Sequence, residues 1–217
     1  MAVEEIAPGV HAIGMGYVNA FLIAGEDGLT LVDSGLPKKK DAILRALARL
    51  GRQPADLKHI LITHHHIDHM GSLRDVMEAT GARSYVHPLD SPIVRGDEPQ
   101  PGPNPKSLLG RFAGPLIERF GPAPTTAAVD IEVADGGELP IAGGITAVHT
   151  PGHTPGTWRS CCPATAACCS RATPPRTWSA WASPSACSPS TVSRRRRASG
   201  SWRRWSSMSP ASGTGVC

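Results

Sequence analysis

Residues 1–156 contain no cysteine, and residues 157–217 contain no acidic residue. The first absence excludes disulfides as a source of stability for most of the chain, and 217 residues are enough to bury a core without them. The second divides the chain electrically. Residues 1–156 carry 13 basic and 18 acidic side chains, whereas residues 157–217 carry nine arginines with nothing to balance them. The net charge of +4 therefore averages two unlike parts, and a uniformly basic protein is excluded. No apolar run approaches the length of a membrane span, and the opening "MAVEEIAPG" places two glutamates where a secretory leader needs positive charge. A cytoplasmic protein without a membrane partner is expected.

What is present before residue 157 is an alternation of short apolar runs with helical patterns. "YVNAFLIAG" and "GLTLVDSG" read as strands joined by the polar turn "GEDG". In "KKKDAILRALARLG", Ile43, Leu44, Leu47 and Leu50 share one helical face and Gly51 supplies a stop. "KHILITH" is a buried strand by its apolar, β-branched centre, and "MGSLRDVMEATG" a second helix with Leu73, Val76 and Met77 inward. "RSYVH", "VDIEV" and "GITAVH" read as further strands, so the order predicts an α/β layered fold. Residues 88–126 differ: nine prolines surround a short helical pattern, "KSLLGRFAGPLIERFG", which suits either a lid or a surface excursion. Arg95 and Lys106 in this stretch are candidates to meet an acidic substrate, against the plainer reading of solvated surface charge.

The chemistry is concentrated in "THHHIDHMG", directly after the "KHILI" strand. Alternation along an extended segment puts His64 and His66 on the same side, and Asp68 and His69 arrive as the chain turns into the next helix. Several imidazoles and a carboxylate packed together without a metal would compete for polar partners, so the cluster points to metal ligation. His65 points the other way. His11, His59 and His87 are read as structural or surface histidines.

HxHxDH after an apolar strand, "LVDSG" some thirty residues before it and "HTPGHTPG" after it together resemble the metallo-β-lactamase fold superfamily of metal-dependent hydrolases, over residues 1–156. The resemblance implies an αββα sandwich with a binuclear zinc site on one edge. It assigns His64, His66 and His153 to the first zinc, Asp68 and His69 to the second, and Asp33 to a buried supporting role beside the ligands. His149 precedes the motif and is not carried over. Three neutral imidazoles with an open fourth position make a catalytic site, where bound water drops from a pKa near 16 to about 7. The implied activity is attack by zinc-bound hydroxide, positioned by Asp68, on an ester, thioester, lactone, lactam or phosphodiester in a small-molecule substrate. A redox variant of the fold with iron in place of zinc is a weaker alternative.

The family pattern also needs a bridging aspartate in a Gly-Asp pair and a late histidine, and residues 157–217 supply neither. They lack Asp, Glu, His, Asn, Gln, Lys, Leu, Ile, Phe and Tyr, yet hold 14 serines, all five tryptophans and all six cysteines. Disordered tails are poor in Trp and Cys, so low complexity explains this badly. The genetic code explains it better. Every Cys and Trp codon begins TG, and read one frame over each contributes a codon for Leu, Met or Val. The same shift lets "TWRSCCP" become His-Val-Ala-Leu-Leu-Leu-Pro, "RATP" become Ala-Gly-Asp-Ala and "SGTG" become Phe-Gly-His-Gly. These restore a strand, the Gly-Asp pair and a late histidine in family order. The expectation is therefore a one-base deletion near Gly156 and Thr157, with residues 1–156 as the N-terminal part of the domain. Residues 157–217 form an unstructured out-of-frame tail in this expectation, and the C-terminal half of the sandwich is missing or disordered. At most one zinc is then well held, and activity is impaired. The rival is a genuine basic tail, whose Arg194–Arg197 run would touch nucleic acid or another polyanion.

Overall fold

The computed structural model describes residues 3–101 and 125–162, and the backbone of 167–168. Four antiparallel strands come first: β1 (Val3–Ala7), β2 (Val10–Gly14), β3 (Asn19–Gly25) and β4 (Gly28–Val32). Then β5 (Leu57–Leu61), β6 (Arg83–Val86) and β7 (Ile131–Glu132) join parallel to β4, completing a seven-stranded sheet in chain order. Helices α1 (Lys40–Arg49) and α3 (Leu73–Thr80) are the crossovers that parallel strands require, while α2 (Ile67–Met70) and α4 (Ser91–Arg95) are single short turns. The second sheet is antiparallel, built from β8 (Glu138–Leu139), β9 (Ile145–His149), β10 (Trp158–Cys162) and β11 (Ala167–Cys168).

Alternation within the central strands divides two cores. Leu31 and Ile60 face one way and pack with Ile43, Leu47, Leu73 and Val76 of the helices. Their chain neighbours Val32 and Leu61 face the second sheet and pack with Ile145, Ala147 and Trp158. The described chain is thus a helical layer on two stacked sheets, an α/β fold of the expected type, and no second helical layer is found among the described residues. No helix among the described residues is long and apolar enough to cross a membrane.

One expectation is corrected. The chain was expected to be unstructured from residue 157, but Trp158–Cys162 form β10 against β9, with Trp158 opposite His149. Trp158 is 1% exposed, and its indole N–H donates to the Ile62 carbonyl at 2.7 Å. A large apolar body there fills the gap between the sheets whatever reading frame supplied it. The helical pattern at residues 106–121, Lys106, the Arg194–Arg197 run and the segments "RATP" and "SGTG" all lie outside the described residues.

Candidate metal centre

The site lies where β4 and β5 end side by side. Just past β4, Asp33 takes a left-handed backbone (φ 60°), a conformation aspartate tolerates better than most side chains. This turns its buried carboxylate onto the chain leaving β5. Asp33 accepts from the Thr63 N–H at 2.9 Å, from the Thr63 hydroxyl at 3.0 Å and from His69 Nδ1 at 2.7 Å.

These bonds fix the proton positions on two imidazoles. A carboxylate can only accept, so His69 carries a proton on Nδ1, and in the neutral ring its Nε2, 3.7 Å from Asp68 Oδ2, is left as the lone pair. The Thr63 hydroxyl gives its hydrogen to Asp33 and therefore accepts at 3.0 Å from His64 Nδ1. His64 Nε2 is then an unprotonated lone pair, and it is buried with no hydrogen-bond partner. Such an atom is costly to bury unless something else occupies its lone pair.

The something else is indicated by its neighbours. The rings of His66 and His153 lie 4.8 and 4.7 Å from that of His64, and His66 Nδ1 is 2.9 Å from His153 Nε2. Among the described residues these three form the one group of its kind, each offering a ligand atom within 4.8 Å of the others. Zinc held at about 2.0–2.1 Å by imidazoles sets its nitrogens about 3.3 Å apart, so small side-chain adjustments let the three share an ion. Donor chemistry and the orphaned lone pair both fit a zinc site. Asp68 and His69 stand beside the triad on α2, which His66 caps by accepting from the His69 and Met70 N–H groups.

The other histidines are used elsewhere. His65 turns to Asp90. His59 sits between Tyr85 Oη and Asp27 Oδ2, at 2.9 and 3.0 Å. His149 stacks on His87, ring centres 4.2 Å apart, and bonds the Pro155 carbonyl. Arg95 is held by Asp97, Ser91 and Glu132, so its charge is matched locally rather than presented to a substrate. Sequence reasoning missed Thr63 and Asp90, whose roles come from what folding brings against them; no spacing signal marks either.

Burial, reinforced by neighbouring imidazoles, lowers His64 to about 2 and His66 to about 4. Both rings are neutral at pH 7. His69 is opposite: burial lowers it, but the Asp33 and Asp68 carboxylates raise it further, leaving it above its ordinary value. The depressed pair stabilises the fold above the unfolded value of 6.5, and that stability is lost as pH falls toward the folded values. His69 contributes in the reverse sense, helping below 6.5 and fading as pH rises through its raised value. Two groups outweigh one, so chelator-treated protein should melt at steadily lower temperature between about pH 7 and about pH 5, as the unfolded histidines take up protons that the buried ones refuse. Thermal melts across that range check this, and a flat profile contradicts it.

A two-sheet sandwich with three convergent imidazoles at one edge defines an α/β protein with a candidate metal centre. A family model described as "Metallo-beta-lactamase superfamily" matches residues 13–165, and the chain belongs to that superfamily. It is 28% identical over 160 residues to the "Probable metallo-hydrolase YflN" of Bacillus subtilis, covering 70% of this chain and 59% of that one. It is also 24% identical over 160 residues to an "N-acyl homoserine lactonase" of a Bacillus species, covering 63% and 54%. Among solved structures it is similar to BJP-1, a subclass B3 metallo-beta-lactamase of Bradyrhizobium japonicum, with a TM-score of 0.59, 28% identity and coverage of 73% and 56%. The chain thus spans only a little over half the length of these relatives.

Proposed function

We propose that this chain carries the zinc-binding first half of a metal-dependent hydrolase acting on a small molecule with an ester, thioester, lactone, lactam or phosphodiester bond, and that its activity is impaired. The observation that supports it best is the buried, unpartnered His64 Nε2 facing His66 and His153. In this reading those three hold the first zinc, and Asp68 and His69 begin a second site. The ions, when bound, act as Lewis acids that lower the pKa of water and polarise the bond to be broken. Asp33 holds His69 and, through Thr63, His64 in the tautomers that leave their Nε2 atoms as donors. Asp68, 27% exposed at the side chain, orients the attacking water from the open side. The name of the lactonase relative favours carboxylic esters and lactones as first substrates.

Impairment follows from the composition of residues 157–217, which offer no carboxylate or imidazole to complete a second site. A one-base deletion at the codons for Gly156 and Thr157 accounts for that composition. Dialysed 217-residue protein should retain no more than one zinc per chain by atomic absorption, and His66→Ala should retain none. Two tightly held zincs with robust ester or lactone turnover would overturn the reading.

A further inference from the structure

The three imidazoles come from two segments far apart in sequence, with His66 and His153 separated by 87 positions. Their convergence depends on what locks the HxH segment to the β9–β10 turn. A single buried carboxylate lies between the two. Asp90, 0% exposed at the start of α4, accepts from the His65 N–H at 2.9 Å and the Thr154 hydroxyl at 2.8 Å through Oδ2, and from the Gly156 N–H at 2.7 Å through Oδ1. His65 Nδ1 also lies 3.0 Å from Oδ2, off the line of a good hydrogen bond. His65 sits between the ligands His64 and His66, and Thr154 directly follows His153. Asp90 thus holds the backbone next to all three imidazoles without touching any of them.

The fit is close on the other side too. A Cβ on Gly156 would lie 2.5 Å from Asp90 Cγ and Oδ1, so only glycine lets the turn approach this carboxylate. Thr154 is itself steadied by Thr157, which accepts from the Thr154 N–H at 2.9 Å. A buried carboxylate is stable only when fully partnered. Burial pushes the Asp90 carboxyl up, yet the bonds and charge from His65 and Thr154 hold it below its ordinary value.

We infer that Asp90 is a positioning residue for the metal centre, a clamp that fixes His153 relative to His64 and His66 and so sets the affinity and geometry of the three-imidazole site. The inference rests on the proposal that these histidines share an ion. In Asp90→Asn the amide group presents N–H to one of the donors that the carboxylate now receives, and the two segments part at that contact. The matched pair Thr154→Val and Thr154→Ser tests the same contact with less disturbance, since serine keeps the hydroxyl.

The experiment is titration of the metal-free 217-residue protein with Co2+, followed by its visible spectrum, with circular dichroism to verify folding. Asp90→Asn and Thr154→Val should bind Co2+ about 10- to 100-fold more weakly, with an altered visible band, while Thr154→Ser recovers both. Unchanged affinity and spectrum in Asp90→Asn, or equal loss in the valine and serine variants, overturns the clamp while leaving the site reading intact, provided His66→Ala abolishes binding. If wild-type protein binds no Co2+, the site reading fails and takes the clamp with it.

Discussion

Inserting one base at the codons for Gly156 and Thr157 is expected to give a protein that holds two zincs per chain and hydrolyses at least one of a panel of esters, thioesters, lactones, lactams and phosphodiesters. The 217-residue chain should lag behind it by more than the about 10- to 100-fold that outer partners of a metal site are worth, because direct ligands are at stake. The three imidazoles around His64 are already together, so restoration adds to a half-built centre. What it adds, under the frame-shifted reading of "RATP" and "SGTG", is a bridging carboxylate and a late imidazole, the donors that Asp68 and His69 need to hold a second ion. Metal analysis and turnover of the two proteins side by side decide the matter. Equal zinc content and equal rates would mean that residues 157–217 are a genuine tail.

Asp33→Ala is expected to cost about 3–5 kcal/mol, at the upper end for a single substitution, since a buried charge-assisted network loses its common acceptor. The Thr63 N–H, the Thr63 hydroxyl and His69 Nδ1 all end on this carboxylate. Alanine replaces none of these bonds and tolerates the left-handed backbone poorly. Asp33→Asn separates stability from chemistry. Asparagine accepts the left-handed conformation and can still receive from the Thr63 N–H through Oδ1, but its NH2, in the place of Oδ2, faces both the Thr63 hydroxyl and His69 and forces the His69 proton from Nδ1 to Nε2. The fold should then lose less than in the alanine variant while His69 ceases to be a donor, visible as a changed imidazole tautomer by nitrogen NMR. Urea denaturation of both variants measures the first half of the claim. An Asp33→Ala cost below about 1 kcal/mol would show that the network is not what holds β4 and β5 together at the site.

Much of the frame was legible because local pattern and tertiary demand agree in it. The β3–β4 hairpin, α1 and α3 carry their own periodicity and their own stops, with Gly51 and Gly81 both left-handed where the helices end. β1 and β2 went unseen because "VEEIA" and "VHAIG" are short and half polar, and they become strands only by pairing with each other and with β3. Of "VDIEV", only Ile131–Glu132 pairs, since an edge position needs little more. At the candidate metal centre the sequence marks the clustered histidines, because metal ligation restricts residue type. It does not mark Thr63 or Asp90, ordinary residues whose effect comes from partners tens of positions away. Trp158 shows the converse: composition assigned it to the aberrant tail, yet the space between the sheets accepts it as core.

The division of the interior by the seven-stranded sheet bears on how the chain comes to be folded at all. Every described side chain of the helix-side core belongs to a residue at or before Val129. On the ribosome, that whole compartment has been synthesised before the codons in question are reached, and its strands and helices close on one another in local, sequential order. Whatever sequence follows Gly156 meets a wall already built, one whose far face presents Phe21, Val32, Leu61 and Tyr85 to the emerging strand. Whatever residues follow Gly156 are therefore met by a template, and among the first of them Trp158–Cys162 form a strand against it.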